Sequence, residues 1–233
     1  MKTRVAAAAF LMVMLSRIGP AFSAGAPAAT PGGIPLDAPW KVKIYALAHS
    51  KFVHPAWGWL HSERDYLLAV RLAEGDGLHI DTDVLFAAAF LHDMSAFMPC
   101  KGPKMEHGEC AARQARAVLG GTGFPMQKVA AVQAAERGHM FYSNAGSDPN
   151  AIVLHDADSL NFLGDLGAAR LIALTGEKAP SFAPALKSLR GFVKDIPPKL
   201  ITKTAQRMGS ERAAELQAFL DRLQAESFAS HSM

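Results

Sequence analysis

The residues best placed to do chemistry are a His-Asp doublet and two outlying partners. His92-Asp93 closes the apolar run AAAFLHD, where an ionisable pair continuing a core-facing stripe is costly unless something compensates it. Neighbours on a helix point about 100° apart, so the doublet straddles that stripe and can reach one point beyond it. A metal ion would satisfy both side chains at once. His61 follows Trp57-Gly58-Trp59-Leu60, and Asp158 follows Val153-Leu154-His155-Asp156-Ala157. Two imidazoles and two carboxylates from separate segments form a mixed nitrogen and oxygen donor set. Such a set suits a six-coordinate divalent ion (Mn, Fe, Co, Ni or Mg) better than a thiolate zinc centre. Ions of this kind acidify water and polarise phosphoryl or carbonyl oxygens.

Read together, these residues resemble the HD superfamily of metal-dependent phosphohydrolases. That family places a His on one helix, a His-Asp doublet on a later one, and an Asp in an Ala-Asp-x-Leu context downstream. Here the pattern reads His61, His92-Asp93 and Asp158 within Asp156-Ala157-Asp158-Ser159-Leu160. His61-Ser62-Glu63-Arg64 is similar to the family's His-Ser-x-Arg segment. DADSLNFLGDLGAAR and the C-terminal LITKTAQRMGSERAAELQAFLDRLQAE resemble small single-domain bacterial members, nucleotide pyrophosphohydrolases among them. The resemblance spans residues 45–226. It implies an all-α HD-domain bundle in which His61, His92, Asp93 and Asp158 hold a divalent ion. It further implies hydrolysis of a small phosphate ester or anhydride, with Asp93 also catalytic. In some members two histidines in the interval of His107 and His139 complete a second metal site; here they would do that or bind substrate.

Arg64 stands one helical turn after His61, where it could clamp a phosphate oxygen. Lys101 and Lys104, in the Pro-Cys-Lys-Gly-Pro-Lys loop, are further candidate phosphate ligands. Asp156, the rival of Asp158, reads as a helix cap, and His155 as structural. Trp57 and Trp59 could stack a nucleobase or simply fill the core. His49, His54, His79 and His231 have no evident partners. One departure counts against nucleotidase and alarmone-hydrolase subclasses: no carboxylate follows Asp93 until Glu106. Two other functions stay open. One is a lyase or hydratase of a small non-phosphorylated molecule, similar to cyanamide-hydratase-like HD proteins. The other is a non-catalytic exported binding protein on the same scaffold.

The elements that must position these residues read as helices. Leu60, Leu67, Leu68 and Leu72 mark one, and Val84, Leu85, Ala88, Ala89 and Leu91 another, with Asp81 or Thr82 placed to cap it. Cys110 to Leu119 stops at Gly120-Gly121, and Pro125 opens a helix running to Gly138. A further helix is expected from Asp156 to Leu174, and a last amphipathic one from Ser210 to Ala225. Only Ala151 to Leu154 could be a strand. The fold class is therefore all-α, a single bundle over residues 41–176 with a C-terminal helical extension over 177–226 and a loose tail at 227–233.

Composition narrows the remaining classes. The chain has 233 residues, 50% of them hydrophobic and 19% charged, enough for one real core and unlike a disordered protein. Lys2, Arg4 and Arg17 precede or interrupt the apolar run from Val5, and Ala21-Phe22-Ser23 offers a cleavage tripeptide. Residues 1–23 thus read as a secretory signal peptide, followed by a flexible Ala/Pro/Gly-rich leader at 24–40. Of 24 Lys and Arg, three lie in that signal, leaving 21 against 21 Asp and Glu. A balanced mature chain does not favour nucleic-acid polymers. The expected product is exported, periplasmic or secreted, without a membrane span after cleavage, and it takes a small-molecule substrate. In such a compartment Cys100 and Cys110 can be a disulfide or two free thiols.

Overall fold

The computed structural model describes residues 27–176 and 181–227. The expected signal peptide, the start of the leader and the tail beyond Ser227 lie outside the described residues. Among those described there is no β-strand, only one isolated bridge between Ala29 and Pro35. No helix there is long and apolar enough to cross a membrane.

The centre is α3, Thr82–Leu91, in which every residue from Val84 to Leu91 is buried. A helix apolar on all sides must be surrounded, and α3 packs against α1 (Pro39–Lys51), α2 (Trp59–Asp76), α5 (Val129–Gly138) and α6 (Pro149–Leu160). The helix α4, His107–Gly120, lies along α5. As expected for α3, Asp81 is its cap, accepting from the N–H groups of Asp83 and Val84. Trp40 from α1 meets Phe86 and Phe124 edge to face, which fixes the first helix on the core.

Within the segment expected to be a flexible leader up to residue 40, Thr30, Ile34, Leu36 and Trp40 are buried while the residues between them are largely exposed. Ile34 and Leu36 are buried in the core, and the Gly32 N–H donates to Glu63 Oε1 at 2.8 Å. Two apolar side chains in a Pro- and Gly-rich stretch were enough to dock it.

The helix expected from Asp156 to Leu174 is also two helices. Asp148 caps α6 and Pro149 occupies its first turn, so helix begins before the ambiguous Ala151–Leu154 and absorbs it. The chain then turns at Asn161–Leu163 and restarts as α7, Gly164–Gly176, with Gly164 at φ +68°, a conformation that favours glycine. Helix α8, Ala183–Asp195, and α9, Lys203–Glu226, complete the chain. These two pack on α7, and α9 also reaches α6 and α2, so the C-terminal extension belongs to the same body.

The last helix begins seven residues before Ser210 because two carboxylates receive its first N–H groups. Asp156 accepts from Ile201 and Thr202, and Asp76 accepts from Lys203 and Thr204. Asp156 therefore does act at a helix start, but at that of α9 rather than its own.

Candidate metal centre

Four helices deliver the donor atoms. His61 lies in the first turn of α2, His92 at the C-terminal end of α3, and His139 at that of α5, while Asp158 lies within α6. All four side chains are at most 2% exposed. Asp93 follows His92 as the helix gives way to a single turn at Met94–Ala96, and its side chain is 19% exposed.

Each histidine is aimed by its outer nitrogen. The His92 Nδ1–H donates to the Ala89 carbonyl at 2.9 Å, and the His139 Nδ1–H to the Glu136 carbonyl at 2.6 Å. Both rings thereby turn Nε2 inward, the orientation a metal ligand needs once that nitrogen is free of its proton. His61 Nδ1 lies 3.1 Å from Asp65 Oδ2, one turn further along α2. Its Nε2 lies 3.1 Å from Asp158 Oδ1 and 3.6 Å from Asp93 Oδ2. His92 Nε2 lies 3.3 Å from Asp93 Oδ2 and 3.6 Å from Asp65 Oδ2. Asp93 bridges onward, with Oδ1 4.0 Å from His139 Nε2 and 3.9 Å from His107 Nε2.

These contacts have ion-pair distances but not hydrogen-bond alignment. His61 Nδ1 and Nε2, His92 Nε2, Asp65 Oδ2 and Asp158 Oδ2 are all buried without a hydrogen-bond partner. So many orphaned donor atoms facing one point are expensive unless a cation joins them. Two sets are compact enough to hold one: His61, Asp65, His92 and Asp158, and His92, Asp93 and His139. The residues present therefore fit a divalent ion, with His61, His92, Asp93 and Asp158 as its first candidates.

The electrostatics describe the cluster that an ion would enter by displacing the His92 proton. Burial, helped by the Arg170 charge, lowers His61 to about 4. Burial and the His92 charge lower His139 to about 4 as well. Burial would lower His92 too, but Asp93, Asp65 and Asp158 around it prevail and raise it to about 10. Burial opposes ionisation of Asp158, yet His61, His139 and His92 hold it at about 2. Asp93 is likewise held well below the usual carboxylate range, by His92, His61 and His139 against the cost of burial. His92 is thus the cation this carboxylate cluster recruits for itself.

His107 is brought beside this cluster by the close approach of two helices. Gly108 lets the start of α4 approach the end of α5: a Cβ there would sit 2.5 Å from the Glu136 carbonyl. That approach brings His107 Nε2 to 2.9 Å from His139 Nε2. One of the two nitrogens carries a proton in this contact. His107 Nδ1 faces Glu106 Oε1 at 2.7 Å.

Beside the cluster opens a cavity of about 260 Å³. Asp93, Asp158, His107 and Arg170 are its polar lining, and Trp57, Ala96, Met140 and Phe162 its apolar one. Three of these roles were not foreseen from sequence. Arg170, only 5% exposed, donates from Nε to the Ala56 carbonyl at 2.6 Å and from Nη1 to the Asn161 carbonyl at 2.9 Å. Its guanidinium lies 5.1 Å over the Phe162 ring. Asp65 is fully buried, accepts from Asn161 Nδ2, and is raised to about 8 by burial and the neighbouring Asp158. Its spacing of four from His61 was the available signal. Glu136 is fully buried behind the site with both oxygens unpartnered, and burial raises it well above its ordinary value.

Other expectations are corrected. Arg64 does not border the cavity; it lines a groove on another face with Arg71 and Arg212. Three residues beyond His61 its side chain has rotated about 60° off, and the inward position one turn on falls to Asp65. Lys101 and Lys104 are exposed, and Lys104 borders a dent around the disulfide rather than the metal cavity. Cys100 and Cys110 form that disulfide. Trp57 reaches the cavity with His54 stacked on it, whereas Trp59 packs on Tyr45 and His49. His155 is buried beside Asp156 at 3.1 Å, and His79 is exposed.

This geometry has a counterpart among known families. Residues 58–163 match the HD domain. The matched HD segment contains every donor named above, from His61 to Asp158, and stops short of Arg170. No curated protein matches the chain. Solved structures similar in fold include a Lactobacillus plantarum protein at 22% identity and TM-score 0.64, covering 82% of this chain and 98% of that one. Bacillus subtilis YpgQ, solved in complex with ADP, is 19% identical with TM-score 0.61, over 80% and 97% of the two chains. A protein from an uncultured Thermotogales bacterium, described as a predicted HD superfamily hydrolase, is 24% identical with TM-score 0.58, over 82% and 94%. At these identities the likeness is one of fold.

Proposed function

We propose that this HD domain is a metal-dependent hydrolase of a small phosphate ester or anhydride. The observation that carries the reading is the pair of overlapping donor sets that share His92, one with His61, Asp65 and Asp158 and the other with Asp93 and His139, with the Arg170 guanidinium bordering the adjoining cavity. A divalent ion held there would acidify water and neutralise charge on a phosphoryl oxygen. The chain's own residues do the rest. Arg170 has Nε and Nη1 committed to backbone carbonyls, so its remaining N–H groups are held in a fixed direction to grip an equatorial phosphoryl oxygen. Asp93, kept ionised and bordering the cavity, accepts a hydrogen bond from the attacking water and orients it. His107, about a third exposed at the cavity, is placed to give a proton from Nε2 to the leaving oxygen. Trp57 and Phe162 offer apolar faces for the body of the substrate. YpgQ's ADP makes a nucleotide a natural first substrate to try.

The compartment we propose is extracytoplasmic. Residues 1–23 have the layout of a secretory signal, and the Cys100–Cys110 bond is one that an oxidising compartment sustains. The test of function is metal analysis of the mature chain followed by phosphate-release assays across monoesters, pyrophosphate and nucleoside di- and triphosphates. A filled metal site with no phosphate released from any of them would overturn the reading.

The mainly apolar lining, with Arg170 its only guanidinium, favours one second reading, a hydratase or lyase of a small uncharged molecule. Arg170→Ala separates the two. A phosphohydrolase loses roughly a hundredfold or more in kcat/KM, as when one donor to a developing charge is removed, whereas turnover of a nitrile-type substrate is little changed.

A further inference from the structure

On the opposite side of Asn161 from the metal cluster, three arginines line a second cavity of about 260 Å³. Arg64 and Arg71 come from α2 and Arg212 from α9, with Leu67, Leu68 and Leu166 as apolar walls. None of the three guanidinium groups has a carboxylate within ion-pair distance among the described residues. The nearby acids Asp65, Glu63 and Glu215 act on Arg64 and Arg212 through their charge without closing an ion pair. Glu63 accepts from the Gly32 N–H, Asp65 faces the metal cluster, and Glu215 lies exposed on α9. Arg212 spends one N–H on the Leu160 carbonyl at 2.9 Å. Arg64 Nε is buried with no acceptor.

Like charges do not gather without a reason. Burial lowers Arg64, with the charge of Arg170 adding to it and Asp65 and Glu63 opposing it, and burial lowers Arg212, with Arg71 adding and Glu215 opposing. A fold that brings three guanidinium groups to one hollow, none of them ion-paired among the described residues, has a place for an anion. Guanidinium forks match tetrahedral oxyanions. We propose that this groove is a second oxyanion site, taking a phosphate group either free or carried on a small ester. Leu67 and Leu166, exposed by 41% and 37%, are positioned to touch the body of such an ester. The site needs neither the metal nor turnover, so it stands apart from the proposed activity.

The test uses the metal-free full mature chain with arginine Nε–H resonances assigned by NMR. Inorganic phosphate and, separately, phenyl phosphate are titrated at constant ionic strength, with chloride as control. Saturable shifts of the Arg64, Arg71 and Arg212 signals are expected with one or both probes. Tighter response to phenyl phosphate assigns an ester, and equal response assigns free phosphate. Arg71→Ala, at an exposed position where folding is not at risk, should weaken binding by about tenfold, the scale of one charge-assisted hydrogen bond, and Arg71→Lys should recover part of it. Signals that move no more with phosphate than with chloride, or binding untouched by Arg71→Ala, would overturn the proposal. A variant that spares this binding but removes metal, such as Asp158→Ala, keeps it independent of the hydrolase reading.

Discussion

Removing a single ligand tests the metal cluster, whose imidazoles and carboxylates hold one another in place when no ion joins them. Asp158→Ala and His92→Ala are expected to lose the ion while retaining helicity, read by metal content and far-ultraviolet circular dichroism. Added manganese should raise the melting temperature of the parent, since a ligand at a hundred times its Kd contributes about 2.7 kcal/mol; neither variant should respond. Asp65→Ala is subtler, as this carboxylate holds Nδ1 of His61 and is itself held by Asn161. If Asp65 positions rather than ligates, metal affinity falls about 10- to 100-fold, with binding still measurable. Retained metal in both Asp158→Ala and His92→Ala would move the site elsewhere. Glu136 gives a pH-dependent companion. Its folded pKa lies above its unfolded value near 4.5, so the folded state binds the extra proton. Stability is therefore lost as pH rises from 4.5 toward the folded pKa, and Glu136→Gln should stabilise at pH 8 while changing little at pH 4. Equal effects of Glu136→Gln at both pH values in thermal melts would contradict this.

At the scale of elements, legibility followed the strength of local signals. The four candidate ligands could be read because each sits in a stereotyped context, and α3 because Asp81 caps an unbroken apolar run. Helices α1 and α8 left weaker traces: Val42, Ile44 and Tyr45 alternate with lysines, and Ala185, Leu186 and Leu189 cover only a narrow stripe. Arg170 was hidden because its partners, the Ala56 and Asn161 carbonyls, are backbone atoms that no side-chain pattern reveals. The start of α9 was missed for the same kind of reason, since the acceptors of its first N–H groups lie 45 and 127 residues away in sequence. That arrangement makes a prediction. Losing a helix-start acceptor costs about 1 kcal/mol, and although each carboxylate accepts from two N–H groups, the buried Asp156 should cost more than the half-buried Asp76. Asp76 is also held below its ordinary value by Thr204 and Lys203 despite the opposing effect of burial. Its contribution is accordingly present above pH 3.8 and lost as pH falls through the folded pKa. Denaturant melts of Asp76→Asn should show less loss of stability between pH 5 and pH 3 than the parent does.

For the molecule as a whole, the Cys100–Cys110 bond joins the end of the doublet's loop to the body of α4, and so ties Asp93 to His107 across the cavity. The ring it closes spans a separation of 10 residues, for which loop-closure entropy gives at most about 3 kcal/mol. In a domain of this size that corresponds to a fall of about 5–10 °C in melting temperature on reduction. The effect should not be confined to stability. His107 also rests on Ser95, whose hydroxyl donates to the His107 carbonyl at 3.0 Å, and that bond and the one Gln114 Nε2 donates to the Met98 carbonyl at 2.8 Å would be left to register the loop on α4. The His61, His92 and Asp158 donors stand on α2, α3 and α6, which the disulfide does not touch. Cys100→Ser with Cys110→Ser is therefore expected to keep metal affinity within about threefold while lowering kcat, if His107 delivers the leaving-group proton from this loop. The measurement is metal binding and turnover on the same preparation at a temperature well below the melt. A double variant that loses metal and activity in parallel would show that the bond supports the whole site rather than its catalytic edge.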